Sequence, residues 1–488
     1  MTFTKRLSIL ILIVGALLTQ ASAQNETDVL RYSMFEYGGT ARAIGAGSSL
    51  GALGADFSVM NTNPAGLGWY RRSVFSFTPA IAGSRISSTL TNDSDAFVNQ
   101  ENHSKFNLGS LGIVVTSNPP GREWSTFNFG LGFNRVADFN QEFYYEGASE
   151  GSIVNRFQEL ANSDFGFDEF ESGLAYDAEA LYDYLDDGYY DSDFDLAPDA
   201  DITKSQTVRT RGSINELVFA FAGNYKERLL LGMSVGVPFV SFNEDKIYQE
   251  SDPDDLVPAF ESLEYIENLT TTGVGINLKL GLLLRVNQML RLGAAVHTPT
   301  GYTFNDNYTS EMTYNYVADN TQYQGYDRSP DGSFEYKMRT PWRVMGNAGL
   351  VFGKSGFLSG EVEYVNYQNA ELRYRDFPQD EREANQLIAK NLKSAINVRV
   401  GGEFAYDIFR FRAGLGMQQS PLAGDDTVNP SISFGLGIRE QSLFIDFAYR
   451  YRAIQETYVP YRTAEAPMQF VDNDLNKSYI AATIGFRF

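Results

Sequence analysis

Side chains of two kinds alternate along the last residues of the chain, and this pattern restricts the fold more than any other feature. Ile480, Ile484 and Phe488 are apolar, while Thr483 and Arg487 lie between them. A β-strand places successive side chains on opposite faces, whereas an amphipathic helix repeats its apolar positions every three or four residues. The pattern therefore predicts a strand with one apolar face and one polar or small face. The same alternation recurs in residues 342–352, 410–417 and 443–452.

Strands of this kind occur in soluble sandwiches and in membrane barrels. A sandwich turns its apolar faces inward, whereas a membrane barrel turns them outward to lipid and lines its lumen with polar side chains. The segments are as long as the ~9–11 residues that cross a bilayer at a tilt. Aromatic residues also cluster at strand ends, as in Phe143-Tyr144-Tyr145. These features favour an all-β, transmembrane barrel.

Short and long connections alternate between the predicted strands. We expect short turns at residues 116–123, 223–227, 286–289, 353–356, 406–407 and 439–442. We expect long loops at residues 90–104, 147–204, 249–262, 305–331, 376–389, 420–429 and 455–477. Barrels with short periplasmic turns and long outer loops show this alternation, and single-chain bacterial barrels have an even number of strands. The connections separate fourteen antiparallel strands.

The first residues are typical of an export signal. Lys5 and Arg6 precede an apolar run over residues 7–18, and Ala21-Ser22-Ala23 matches a small-residue cleavage site. The run is shorter than the ~20 apolar residues that a membrane helix needs. We therefore expect residues 1–23 to be a signal peptide, residues 24–72 an N-terminal unit and residues 73–488 the barrel. Such a protein would lie in the outer membrane of a Gram-negative bacterium, as a monomer surrounded by lipid.

Charge and residue types exclude several functions. The formal net charge of −22 argues against nucleic-acid binding, which needs clustered Lys and Arg. The absence of Cys excludes a disulfide scaffold, and with only two His it argues against a transition-metal site. No cofactor is predicted.

Much of the acidic charge lies in one predicted loop. Residues 147–204 hold sixteen acidic and two basic side chains. The oxygen ligands that Ca²⁺ prefers are offered by Asp191, Asp193, Asp195, Asp199 and Asp201, but the spacing of an EF-hand is absent. We therefore interpret this segment as a solvated or disordered acidic loop.

Residues 32–72 do not alternate and are rich in small residues. Gly38 and Gly39 permit unusual backbone angles, and Asn63-Pro64-Ala65 is typical of a turn. A strandless segment of this length is usually functional or disordered, and its apolar content argues against disorder. A fourteen-stranded barrel also has a lumen too wide for its own side chains to fill. We therefore expect this segment to close the lumen as a hatch.

Charged side chains fall on the polar faces of several predicted strands. The polar lumen would be lined by Glu361, Glu363, Arg399, Arg410 and Arg412. Opposite charges on neighbouring strands stabilise a sheet when they pair. We interpret these residues first as ion pairs that hold the barrel, with a specific solute path as the alternative. Arg42 would enter the lumen as a cation, with Glu361 and Glu363 as its expected partners.

Three short motifs follow one another in the N-terminal part of the chain. They are Gly-Gly-Thr-Ala-Arg-Ala-Ile-Gly-Ala-Gly at residues 38–47, an Ala-Asp step at residues 55–56, and Asn-Pro-Ala-Gly-Leu at residues 63–67. Their order resembles the start of the FadL/OmpP1/TodX family of outer-membrane transport proteins, and most of all its Bacteroidetes branch. The motif match covers about residues 37–68.

The resemblance implies a fourteen-stranded barrel with an N-terminal hatch and passive uptake of hydrophobic molecules, such as long-chain fatty acids or aromatic hydrocarbons. On that basis the hatch and the solute path would include Gly38, Gly39, Arg42, Asn63, Pro64 and Ala65. Asn-Pro is turn chemistry first, so Asn63-Pro64-Ala65 is expected to shape the hatch. Family members also have a kinked third strand that serves as a side exit, and residues 124–131 carry no signal for one.

Two other functions compete with transport. The same superfamily includes a barrel of the type IX secretion system, so a structural or secretion barrel with protein partners is the alternative. Gly-Ser-Ser-Leu-Gly at residues 47–51 fits the G-x-S-x-G elbow of hydrolases through Ser48 or Ser49, but that elbow needs a strand-to-helix turn and a later Asp and His. Only His103 and His297 exist, and we interpret His297 as an ordinary strand residue. We expect no enzymatic activity.

Overall fold

The computed structural model describes residues 26–91, 93, 97–120, 123–164 and 166–488. The expected signal peptide, residues 1–23, lies outside the described residues. Within them no helix is long and apolar enough to cross a membrane. The first strand pairs antiparallel with the last, Phe75 opposite Phe486, so the sheet closes on itself.

All strands belong to one antiparallel sheet. The strands, β1 to β19 in chain order, are Val74–Leu90, Asn99–Ser117, Trp124–Asp138, Gln141–Ser149, Ile202–Tyr225, Leu229–Ser251, Phe260–Arg285, Leu290–His297, Gly301–Ala318, Thr321–Arg328, Gly332–Arg339, Arg343–Val351, Gly356–Asn366, Glu371–Tyr374, Ser394–Tyr406, Phe409–Gln419, Val428–Arg439, Leu443–Tyr458 and Val471–Arg487. The α-helices are Glu26–Ser33, Ala41–Gly45, Ile153–Ala161, Ser172–Asp177 and Pro378–Asn391, and 3-10 turns cover Phe57–Asn61, Pro64–Trp69, Asp193–Leu196 and Tyr367–Asn369.

Fourteen barrel strands account for these nineteen segments. Four barrel strands are each broken into two segments, namely β3 with β4, β8 with β9, β11 with β12, and β13 with β14. The segment β10 folds back on β9 and extends the wall beyond the barrel. The predicted number of strands is therefore confirmed over the described residues.

The six expected short turns are confirmed, since each lies between two consecutive strands that pair antiparallel or neighbour one another. Two of the expected long loops were wrong in part. Residues 305–331 form mostly the hairpin of β9 and β10, whose turn residues Asp319 and Asn320 have φ angles of 50° and 58°. Residues 376–389 hold most of the helix Pro378–Asn391, which begins at a proline, a residue well suited to a first helical position.

The outer surface of the barrel is apolar and its interior is polar, as the alternation predicted. Phe411, Leu415 and Met417 are between 47 and 59 % exposed, whereas Asp446 and Thr483 are fully buried. On β7 the exposed apolar row runs from Leu284 to Val274. Ten residues of tilted strand rise about 25 Å, the height of the apolar band of an outer-membrane barrel. Apolar side chains on the outside and polar side chains on the inside are the reverse of the distribution in a soluble protein, and they identify a transmembrane barrel.

The acidic loop is a folded cap rather than a solvated loop, so that prediction was wrong. We call residues 150–201 the cap. Val154, Phe157 and Leu174 on its two helices are at most 1 % exposed and pack with Tyr248 and Tyr314 of the barrel wall. These apolar residues recur at helical spacing within the acidic run, so the helices turn them inward and leave the carboxylates outside.

Two of the aspartates that offered calcium ligands, Asp193 and Asp195, accept hydrogen bonds from side chains of the wall and of the cap. Asp193 accepts a hydrogen bond of 2.7 Å from the Tyr314 hydroxyl, and Asp195 accepts one of 2.7 Å from Gln158. Among the described residues no group of three or more His, Asp or Glu side chains is placed to hold a metal ion.

Candidate functional site

The N-terminal segment, residues 26–72, lies inside the barrel. Its backbone is bonded by inward side chains of β19, β6, β8 and β3: Ala41 N donates to Thr483 Oγ1 (2.7 Å), Ser234 Oγ donates to Met60 O (2.9 Å), His297 Nε2 lies 2.7 Å from Thr62 O, and Thr126 Oγ1 donates to Gly68 O (2.9 Å). These strands lie on different sides of the barrel. The segment is therefore held across the lumen from several directions.

Strand glycines make room for the turn that Asn63-Pro64-Ala65 forms. A Cβ atom on Gly232 would lie 2.4 Å from the Ala65 nitrogen, and one on Gly281 would lie 2.1 Å from Asn63 Oδ1. Only a glycine at these positions allows the segment to approach the wall so closely.

Asn63 both shapes the turn and attaches it to the wall. Its side-chain oxygen accepts a hydrogen bond from Ala65 N, which caps the 3-10 turn Pro64–Trp69. Its side-chain nitrogen donates to Asn347 Oδ1 at 3.1 Å and to Leu282 O at 3.2 Å. These contacts include the turn contact that was expected for Asn-Pro.

Gly38 and Gly39 place the chain before the first lumenal helix, Ala41–Gly45. Gly39 has a φ of 103°, and a Cβ atom there would lie 2.1 Å from Ser58 Oγ. Gly38 lies close to the wall, and a Cβ atom there would be 3.1 Å from the Arg135 carbonyl oxygen. Thr40 then caps the helix by accepting a hydrogen bond from Ala43 N.

Arg42 is buried in the lumen as expected, but the expected partners were wrong. Its guanidinium lies 3.7 Å from Asp56 and 3.6 Å from Glu403, and it donates to the Ala55 carbonyl at 2.9 Å. Burial opposes the charge of Arg42, but Glu403 and Asp56 outweigh it and raise the pKa. One of these partners lies on the same segment, so the helix Ala41–Gly45 carries part of its own counter-charge into the lumen.

Glu361 and Glu363 are buried and pair with arginines of the wall instead of Arg42. Glu361 pairs with Arg399, while Glu363 lies 2.9 Å from Arg343 and 3.5 Å from Arg399. The Tyr37 hydroxyl donates to Glu363 at 2.6 Å. Burial, together with the Glu363 carboxylate, raises the pKa of Tyr37, so the hydroxyl keeps its proton and remains a donor.

Arg410 and Arg412 lie on β16, the strand next to the one that carries Glu403. Arg412 lies 2.6 Å from Glu403 and 2.7 Å from Asp446, and it is buried. Arg410 is 4.0 Å from Glu403 and also donates to the carbonyl of Asp407 in the adjacent turn. These five predicted lumen charges thus pair across strands, which agrees with the interpretation that they hold the barrel.

A large cavity lies above the N-terminal segment, on the side of the cap. Its volume is about 1470 Å³, and it is bounded by the helix Glu26–Ser33, the cap and the inner wall. An aromatic cluster borders it, in which Tyr32 contacts Phe139, Phe242 and Phe304 at ring-centroid distances of 6.2, 6.3 and 4.6 Å. Leu30, Met34 and Phe35 of the N-terminal segment also line this cavity.

The third barrel strand is broken beside this cavity. The segment β3 pairs with β2 only over residues 127–134, and it ends at Asp138 before Phe139 and Asn140 interrupt the strand. The continuation, β4, keeps its pairing with β5, and Phe143 and Tyr145 on it are buried in the barrel interior. The upper part of β2, residues 99–109, pairs with β1 but not with β4 among the described residues. Backbone pairing is therefore interrupted between the second and third barrel strands, while β4 lies against β1 and β2 without pairing to them.

Sequence reasoning missed this break and two wall residues that hold the segment. The break lies at residues 139–140, beyond residues 124–131, and Asp138 and Asn140 are the polar signal that marks it. Arg343 donates to the carbonyl of Ser33 and lies 4.5 Å over the ring of Phe35. Its position on a polar strand face was the available signal. His297, expected to be an ordinary strand residue, contacts the segment at Thr62.

The two serines of the hydrolase motif take part in local hydrogen bonds. Ser48 Oγ donates to the carbonyl of Tyr37 at 2.9 Å, and Ser49 Oγ donates to the carbonyl of Ala46 at 2.9 Å. The motif lies after the short helix Ala41–Gly45 and not between a strand and a helix. These contacts hold a turn of the segment.

Comparison with solved structures finds the same fold in other proteins. No model of a known protein family matches the chain, and no curated protein sequence matches it. A FadL homologue of Pseudomonas aeruginosa matches 93 % of this chain and 100 % of its own, with 12 % identity and a TM-score of 0.57. The toluene transporter TbuX of Ralstonia pickettii matches 93 % of this chain and 99 % of its own, with 16 % identity and a TM-score of 0.51. For the toluene transporter TodX of P. putida the shares are the same, with 11 % identity and a TM-score of 0.52. The chain therefore has the FadL-type barrel fold that its N-terminal motifs predicted.

Proposed function

We propose that this protein is an outer-membrane channel for the passive uptake of small, uncharged hydrophobic molecules. The observation that carries the proposal is the cavity of about 1470 Å³ that lies between the cap, the N-terminal segment and the break in the third strand. A solute would pass from the cap into this cavity and leave through the interrupted wall. The channel would act as a monomer and without catalysis, and the solved channels of the same fold support that kind of function.

The apolar part of the cavity suits an aromatic or aliphatic body. Aromatic rings prefer edge-to-face and offset contacts at centroid distances of ~4.5–7 Å. Phe139 and Phe242 meet edge-on at 5.4 Å, and both contact Tyr32. A flat apolar solute would extend this cluster on its cavity side.

The charge of the cavity selects against carboxylates. Thirteen acidic and five basic residues line it, an excess of eight negative charges. Several acids are paired, as Glu36 is with Arg450 and Glu244 is with Lys246. A cleft of one dominant sign raises the local concentration of the opposite charge and lowers that of the same charge. Aromatic hydrocarbons therefore fit this cavity better than the anions of long-chain fatty acids.

The N-terminal segment would act as the hatch of this channel. It lies close to the wall at strand glycines, bonds to inward side chains and carries Arg42 into the lumen, and these contacts support its role in closing the barrel. Gly38, Gly39, Arg42 and the turn at residues 63–65 would belong to the part that closes the barrel, below the cavity.

The experiment compares solutes of equal shape and different charge. Uptake of radiolabelled toluene and benzoate is measured in Gram-negative cells that produce the protein and in matched cells that lack it. We expect the protein to increase toluene uptake and to leave benzoate uptake unchanged. Equal increases for both solutes would contradict the charge argument, and no increase for either would contradict the channel.

Purification of the protein tests the alternative, which is a secretion or structural role. A secretion component would bring protein partners in fixed ratio, whereas a channel would come alone with small molecules in its cavity. Mass spectrometry of molecules extracted from the purified barrel distinguishes these results.

A further inference from the structure

A groove of about 660 Å³ opens on the lipid-facing surface of the barrel, and none of its lining residues lines the lumenal cavity. It forms where three neighbouring barrel strands break: β8 gives way to β9 at residues 298–300, β11 to β12 at residues 340–342, and β13 to β14 at residues 367–370. Pro299 and Pro341 lie in the first two breaks. Proline has no backbone N–H to donate to a neighbouring strand, so the ladder is interrupted there and the wall is indented.

The groove lies at the upper boundary of the apolar band. Its apolar part is formed by Val235, Ile276 and Leu278. Ile276 belongs to the exposed row on β7 and is the last but one of its apolar members. On the barrel strand made of β11 and β12, Trp342 is 49 % exposed, and the groove residue Arg339 lies directly beyond it towards the cap side. Trp and Tyr mark the membrane–water interface in barrels of this kind.

The polar part of the groove is formed by three cations. Lys337 and Arg339 on β11 and Arg373 on β14 all line it. The residues that alternate with them, Met338 and Leu372, are buried in the barrel interior, so the three cations point outward.

The protein balances these three cations only in part. In the antiparallel pair of β11 and β14, Lys337 lies directly opposite Arg373. Like charges directly opposite each other destabilise a sheet. Glu371 is 3.1 Å from Arg373 and 4.0 Å from Arg339, so one carboxylate serves two guanidinium groups. Among the described residues no carboxylate lies within ion-pair distance of Lys337. In a chain whose net charge is −22, such a cluster is conspicuous.

We propose that this groove binds a phosphate-bearing lipid of the outer leaflet. Guanidinium and ammonium groups are the usual partners of phosphate oxygens, and arginine binds them in a fixed, two-pronged geometry. The phosphate would lie between Lys337, Arg339 and Arg373, where it relieves their repulsion. An acyl chain would lie against Val235, Ile276 and Leu278. The strand breaks thus provide the indentation in which one lipid can place its head group on the cations and its chain on the apolar residues.

The position explains why the occupant is a lipid and not a free anion. Basic residues at a membrane surface attract anionic head groups. A free phosphate would meet the cations but leave the apolar half of the groove empty. This site is separate from the solute path, so it stands or falls independently of the proposed transport.

The test uses the full-length barrel in a neutral detergent and native mass spectrometry. The probes are a diphosphorylated lipid A, the same lipid without phosphates, and inorganic phosphate. The variant is Lys337→Gln with Arg339→Gln and Arg373→Gln. A control variant neutralises three exposed cations outside the groove, Lys354→Gln, Arg382→Gln and Lys390→Gln. Since Lys337 has no ion-pair partner to lose, Lys337→Gln alone serves as a second variant that should not impair folding.

We expect the wild type and the control variant to retain one phosphorylated lipid. The triple groove variant should need at least about tenfold more lipid for the same occupancy, the ratio that corresponds to the loss of one charge-assisted hydrogen bond. Lys337→Gln should weaken retention in the same direction, and the dephosphorylated lipid should bind the wild type and the groove variant equally weakly. Unchanged retention in both groove variants, retention of the dephosphorylated lipid by the wild type as strong as that of the phosphorylated lipid, or complete displacement by inorganic phosphate would each overturn the proposal.

Discussion

The amide of Glu36 donates a hydrogen bond of 2.8 Å to the carbonyl oxygen of Val136. The pairing register of the third strand shifts between Arg135 and Ala137, so Val136 is an extra residue without a partner in the next strand. Such a bulge frees a backbone group that the ladder would otherwise use. The N-terminal segment is therefore bonded to the third strand three residues before the break begins at Phe139.

Removal of residues 32–68 should leave a folded but conductive barrel. The wall strands pair with each other through backbone hydrogen bonds that do not involve this segment, whereas the lumen loses what fills it. Planar-bilayer recordings and heat-modifiable mobility on gels measure the two properties. A deletion variant that folds and conducts no better than the intact protein would show that the segment is not the hatch.

Gly232→Val should loosen the segment without removing it. The first added carbon would lie 2.4 Å from the Ala65 nitrogen, so the turn must move away from the wall. We expect increased single-channel conductance with the barrel still folded. Gly346→Val is the matched control, because a Cβ atom there meets nothing within 4 Å. Equal conductance in the two variants would mean that the close approach at Gly232 does not seal the lumen.

Arg42→Met should destabilise the protein by roughly 3 kcal/mol, since it leaves Asp56 and Glu403 buried with less counter-charge. The exposed pair of Arg71 and Glu227 provides the control. Arg71→Met should cost less than about 1 kcal/mol because water screens that pair. Urea unfolding of the refolded protein, followed by tryptophan fluorescence, gives both values. Similar losses in the two variants would contradict the importance assigned to burial.

The stability of the protein should fall in acid because Glu36 becomes protonated. Burial opposes the charge of Glu36, but Lys477, Arg450 and Arg452 outweigh it and lower the pKa to about 2. A depressed carboxyl pKa contributes stability that is fully present above the ordinary value near 4.5 and is lost as the pH falls towards 2. The contribution is at most about 3 kcal/mol.

Glu36→Gln is the variant that isolates this effect. At pH 7 it should be less stable than the wild type, and the difference should shrink as the pH is lowered below 4.5. Thermal unfolding at a series of pH values measures the difference. If the difference in stability between the two proteins stays constant down to pH 2, the ion cluster around Glu36 does not stabilise the protein through its charge.

Glu250→Ala should release the cap from the barrel wall. Glu250 accepts hydrogen bonds from Ile153 N at 2.9 Å and from the Tyr248 hydroxyl at 2.7 Å, and thereby holds the start of the helix Ile153–Ala161. Loss of such contacts costs ~1–3 kcal/mol and increases local opening roughly tenfold or more. Trypsin cleavage after Arg156 should speed up accordingly. The exposed Glu169→Ala is the control, and cleavage at equal rates in both variants would refute the assignment.

The sequence by itself determined which faces of the strands meet lipid and how many strands the barrel has. Ile480, Ile484 and Phe486 alternate with Thr483 and Gly485, and each side chain lies on the predicted face. This follows from strand geometry, since a period of two residues is a local property of the backbone. The role of Asn63 in shaping a turn could also be predicted from the local sequence, because Asn-Pro forms its turn through contacts two residues apart.

Only the tertiary structure decided the partners of buried charges, the fold of the cap and the position of the wall break. Arg42 meets Glu403 rather than Glu361 because its place depends on how the segment crosses the lumen and on the register of the whole sheet. The cap folds because Phe157 and Leu174 find Tyr248 and Tyr314 of the wall to pack against. The third strand breaks at Phe139, whose ring packs against Tyr32 of the N-terminal segment. Each of these contacts joins residues far apart in the chain, and no local period encodes them.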